Sequence, residues 1–153
     1  MEVKKKYEEV ARKHSLPSFE SINNDLELTS IKDETEFLLR EIRRRISEKI
    51  DGFTEILNCV VQPDTSVADM HECSVLEEEE RERAIRLFKK IMFFERYAVE
   101  TSINEDDKKT AKFISDFWKE WNNLKSEFSW VILKLKESWL KETDIKTDVG
   151  YLG

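Results

Sequence analysis

A chain of 153 residues with 39% charged and 39% hydrophobic side chains has the size of one domain, and 3 Gly and 2 Pro are too few for a turn-rich all-β fold. The net charge of −7 opposes indiscriminate attraction to nucleic acid or an anionic membrane, and no apolar run is long enough to span a bilayer. Two cysteines without repeating spacing, Cys59 and Cys73, make neither a disulfide framework nor a zinc motif, so a reducing, cytoplasmic setting is expected.

The opening segment reads as a charged amphipathic helix rather than a signal-peptide core, with Val3, Tyr7, Val10, Ala11 and His14 on one face of residues 2–14. Pro17 closes it, because the residue before a proline disfavours helical backbone. Residues 16–29 read as an irregular strap with one turn near Ser18, anchored by Leu16, Phe19, Ile22, Leu26 and Leu28. Asp33 and Glu36 offer a capping-box-like start to a long helix reaching about residue 62. Its inner face is Leu38, Leu39, Ile42, Ile46, Ile50, Phe53, Ile56, Leu57 and Val60, with Gly52 as a point of bending or close helix approach.

A connector over 64–73 has room for a helical turn around Val67 to Met70. Ser74 and Glu77 form a Ser-x-x-Glu box opening the next long helix, whose core side is Ala84, Ile85, Leu87, Phe88, Ile91, Met92, Ala98 and Val99. Its acidic opening, Glu77 to Glu80, suits the positive end of the helix dipole and reads as a solvated face. Asn104 is the expected cap of the last helix, which runs to about Lys141. Along it Ile114, Phe117, Trp121, Leu124, Phe128, Val131, Leu135 and Trp139 recur at steps of three and four, a heptad-like seam that no strand could produce.

These elements predict an all-α, up-and-down helical bundle of three long helices plus a shorter N-terminal helix, with a capacity to self-associate. The expected domain is 1–141, followed by a loosely ordered polar tail over 142–153.

Three constellations are candidates for function. The first is the set of large side chains off the main seams: Phe93 and Tyr97, four apart and surrounded by Arg86, Lys89 and Lys90, and Trp118, Trp130, Leu133 and Leu140 on the last helix. Aromatic and apolar residues outside a core stripe, rimmed by charge, mark a partner surface. The second is Arg40, Arg43 and Arg44, which a helical wheel places on an outward face where guanidinium groups can follow a phosphate backbone. Glu36, Arg40, Arg44 and Glu48 are spaced four apart, as are Glu41 and Arg45, which offers intrahelical ion pairs instead. The third is Asp69, Met70, His71, Glu72 and Cys73, ligand-type residues for a metal-dependent enzyme, although neighbours in sequence point in different directions and His71 is expected to be partly exposed.

No Glu-x-x-His pair, phosphate-cradling glycine loop or strained nucleophile turn is present. The expectation is therefore a non-enzymatic protein–protein interaction module without cofactor or metal. Its partner is another protein or itself as a homodimer, with nucleic acid as the alternative and no membrane association.

Overall fold

The computed structural model describes residues 2–62 and 66–140. Among them are six α-helices, one 3-10 turn and no strand: α1 (Glu2–His14), α2 (Phe19–Leu26), the turn Leu28–Ser30, α3 (Leu38–Val61), α4 (Val67–Cys73), α5 (Glu78–Ile103) and α6 (Asp107–Ser138). The all-α class, the three long helices and the shorter N-terminal helix follow the hydrophobic periodicity. The residue positions expected for the tail, 142–153, and Lys141 lie outside the described residues.

The chain divides into two compact units, Met1–Gly52 with Met92–Asn122 and Phe53–Ile91 with Asn123–Gly153. In the first unit, α1 buries Val3 and Tyr7, and α2 buries Phe19, Ile22 and Leu26. The strap is helical here, not irregular. Ser18 caps α2 by accepting the Ser21 N–H at 3.2 Å. Glu27, at φ 52° and ψ 47°, ends it in the left-handed region, with its N–H donated to the Asn23 carbonyl at 2.9 Å. Eight residues are too few for an isolated helix to persist, and side chains from other elements hold this one. The Tyr7 hydroxyl donates to the Pro17 carbonyl at 2.7 Å, the Trp121 indole donates to Asp25 at 2.6 Å, and Arg45 donates to the carbonyls of Leu26 and Glu27 at 2.9 and 2.6 Å.

Asp33 does not cap α3, which begins five residues later. Its carboxylate accepts the Val3 N–H at 3.2 Å, one of the unpaired donors at the start of α1. The core of this unit continues through Leu38, Leu39, Ile42, Ile46 and Ile50 on α3 and Phe94 and Ala98 on α5, and α6 adds Phe113, Ile114, Phe117 and Trp121. Phe94 stands edge-on to Phe117 at 5.4 Å between centroids, and Phe117 lies 5.1 Å from Trp121. Val99, expected in the core, is 49% exposed. Phe94, not read as core from the periodicity, is buried.

The second unit packs Leu57 and Val60 of α3, Leu87 and Ile91 of α5, and Leu124, Val131 and Leu135 of α6. Phe53 stacks on Phe128 at 3.8 Å, both half-buried. Ile56 and Trp139, assigned to inner faces by periodicity, are exposed. Gly52, at the end of the first unit, would meet no neighbour if it carried a Cβ, so no close helix approach requires it.

Two caps move from their expected places. Ser74 closes α4, its hydroxyl donating to the His71 carbonyl at 2.6 Å, while the Glu80 carboxylate accepts the Glu77 N–H at 3.1 Å to open α5. Asp106, not Asn104, caps α6 by accepting the Lys108 N–H at 2.9 Å.

Candidate interaction surface

The off-seam residues separate into truly exposed side chains and shielded ones. In the first unit, Phe93 is 61% exposed. Its ring is edge-on to Phe94 at 5.2 Å and to Tyr97 at 5.8 Å, so one face is braced by the core while the other meets solvent. Tyr97 is half-buried, its ring 5.1 Å from Phe113 and its hydroxyl donating to Asp116 at 2.8 Å. Burial, reinforced by that hydrogen bond, pushes the phenol up to about 12. Trp118 is half-buried too. Ile103, 72% exposed near the end of α5, was not singled out from the sequence. It stands where the helix passes into the connector, beyond the span in which periodicity identifies a face.

In the second unit, Leu133 and Leu140 are 47% and 76% exposed. Trp130 is not a bare contact. The Arg83 guanidinium lies over its ring at 4.0 Å and forks onto Glu127 at 2.8 and 3.1 Å, so charge and side-chain stem cover the indole. The exposed members of the expected set are thus Phe93, Leu133 and Leu140. Tyr97 and Trp118 in the first unit and Trp130 in the second are partly buried.

The arginine run departs further from the wheel reading. Arg43, expected to face outward, is buried. It forks onto Glu105, with Nη1 at 2.9 Å from Oε2, and also donates to the Thr101 carbonyl at 3.2 Å and the Thr110 hydroxyl at 3.3 Å. Arg40 stacks over Phe37 at 4.0 Å and pairs with Glu105 at 3.4 Å, and Arg44 pairs with Glu41 and Glu48. Each of the three guanidinium groups therefore faces a carboxylate of this chain, which competes with any phosphate for it. The wheel shows only one helix. Glu105, supplied by the α5–α6 connector, gives Arg43 its partner and its cover.

The ligand-type cluster is only partly gathered: Asp69, Glu72 and Cys73 line one cavity, and His71 does not join them. His71 is buried, not partly exposed: Nε2 lies 3.0 Å from the Ser138 carbonyl and the ring 4.6 Å from that of Trp139. The Cys73 thiol donates to the Cys59 carbonyl at 3.2 Å. Among the described residues no three His, Cys, Asp or Glu converge to hold a metal ion. Successive residues of the short helix α4 radiate outward at about 100° intervals.

Comparison with protein families, with curated proteins and with solved structures finds no match for this chain.

Proposed function

We propose that this chain is a non-enzymatic protein–protein interaction module, an adaptor or accessory subunit, whose first partner is a second copy of itself. The observation that carries the reading is the exposure of Phe93 on an edge already held by Phe94 and Tyr97. A rigid, pre-positioned ring loses little side-chain freedom on docking, and burying it contributes about 1.5–3 kcal/mol. The charged Arg96 shares this stretch of α5 with it, and charge beside an apolar contact sets register. In a two-fold dimer the contribution counts twice, because each copy presents the same patch.

An up-and-down bundle is the arrangement that long helices with short connections favour, and it belongs to this proposal together with a cytoplasmic setting, which the free thiols Cys59 and Cys73 suit. No helix among the described residues is long and apolar enough to cross a membrane.

The test is solution mass by light scattering coupled to size exclusion, at two protein concentrations, for the natural chain and for Phe93→Ser. Phe93 alone is replaced, since Tyr97 is anchored to Asp116 and its loss would disturb the fold. The expected result is a dimer that Phe93→Ser converts to a monomer of unchanged helicity. A natural chain that is monomeric at both concentrations, or a dimer that survives the substitution, overturns self-association through this face.

A further inference from the structure

The second unit contains a cavity of about 390 Å³ between α3, α4 and the end of α6. That volume lies within the range of small-molecule sites. Its floor is core: Val60, Cys73 and Leu135 are 1%, 3% and 5% exposed. Its sides are Ile56 and Trp139, two apolar side chains that the seams predict to be inside and that stand exposed. Apolar side chains flanking a hollow above a closed core leave a surface that an apolar body can fill without disturbing the packing below.

Charge narrows the class of occupant. Among the described residues, the carboxylates of Glu55 and Glu72 line the cavity beside Asp69, with Lys136 as the basic side chain, so acidic groups outnumber basic ones there. Fatty acids and other anionic amphiphiles are disfavoured by that field, whereas a cation is drawn in. A metal ion is not the cation in question, because these carboxylates do not converge on one point with another ligand. The Trp139 indole offers the face on which a soft, weakly hydrated ammonium binds best. That indole is steadied by the His71 ring at 4.6 Å, and His71 in turn sits 3.0 Å from the Ser138 carbonyl.

We propose that this cavity is a binding site for a small cationic amphiphile, a molecule with an apolar body and a single ammonium group. The body fills the hollow over Val60 and Leu135, and the ammonium lies between the Trp139 face and the carboxylates. Binding is non-covalent. The Cys59 thiol donates to the Glu55 carbonyl at 3.4 Å, and burial, with Asp69 adding to it, pushes both cysteine thiols up, away from the reactive thiolate.

The experiment uses the full chain and three probes with one benzyl body: benzyltrimethylammonium, the neutral benzyl methyl sulfone, and the anionic phenylmethanesulfonate. Titrations are followed by calorimetry and by the indole N–H resonances. The Trp139 signal is assigned through Trp139→Phe, and the Trp121 signal, held by Asp25 in the other unit, serves as the internal reference. The cation should bind about tenfold more tightly than the sulfone, the sulfonate should not bind, and the Trp139 resonance should shift while that of Trp121 stays.

The double substitution Glu55→Gln with Glu72→Gln changes two side chains outside the core. It should leave helicity intact, weaken the cation several-fold and leave the sulfone unchanged. Equal affinity for cation and sulfone, no response to the cation at millimolar concentration, or an affinity that ignores the double substitution would each overturn the proposal.

Discussion

Arg43 on α3 and Glu105 in the α5–α6 connector form a two-pronged ion pair 62 residues apart in sequence, with the arginine side chain 11% exposed and the carboxylate 25% exposed. The same guanidinium satisfies the Thr101 carbonyl near the end of α5 and the Thr110 hydroxyl in the first turn of α6. One side chain thus ties α3 to both helices flanking the connector. A fork matched to a carboxylate fixes orientation as well as distance, which a lysine in this place would not do.

Replacing Arg43 by alanine leaves Glu105 and Thr110 without that donor, and the expected loss of unfolding free energy is about 2–3 kcal/mol. Arg44→Ala, on an exposed pair, should change it by no more than about 0.5 kcal/mol. Urea denaturation of both variants decides the matter; equal losses would show that Arg43 is no more important than its surface neighbour. The pair also has a pH signature. Its hydrogen bond to Arg43 holds the Glu105 carboxyl below its ordinary value of 4.5. A carboxylate depressed in the folded state contributes stability above that ordinary value and loses it as pH falls through the lower folded value. The stability advantage of the natural chain over Glu105→Gln should therefore be full at neutral pH and shrink with acidification below about 4.5.

Tyr97 carries the opposite dependence. Its phenol is raised from 10.0 to about 12, by burial first and by Asp116 second. A group raised in the folded state contributes stability that is whole below the unfolded value and lost as pH rises through the folded one. Absorbance titration should show one tyrosine ionising near 12, and stability should decline between pH 10 and 12 by more in the natural chain than in Tyr97→Phe. A decline of the same size in both would place the alkaline sensitivity elsewhere.

Gly52 sits inside α3 with no positive φ, and a Cβ there meets nothing within 4 Å. Gly52→Ala should raise stability by about 0.5–1 kcal/mol, because the folded helix tolerates the methyl group and the unfolded chain loses freedom. Thermal unfolding of the variant provides the check. A lower melting temperature would mean that α3 needs glycine here for a reason unrelated to space.

The sequence by itself determined the helical class, the long helices and most of their buried stripes, from Ile42 and Ile46 on α3 to Ile114, Phe117 and Trp121 on α6. Periodicity is a local property: spacings of three and four place side chains on one face wherever the helix lies. Caps were not settled by the local sequence. Asn104 and Asp106 are both able to cap α6, and Asp33 is able to cap α3 until the Val3 N–H claims it. Tertiary structure made those choices, because a polar side chain goes to whichever unpaired donor or acceptor the packed chain brings within reach. It also decided α2, which is too short to stand without Trp121, Arg45 and Tyr7, and the burial of Arg43, which one helix drawn alone puts in solvent. Among the off-seam residues of each unit, sequence located the exposed Phe93, Leu133 and Leu140, but only the positions of Arg83 over Trp130 and Asp116 beside Tyr97 separated exposed rings from covered ones. Exposure depends on what residues distant in sequence do in space, and no local pattern encodes that.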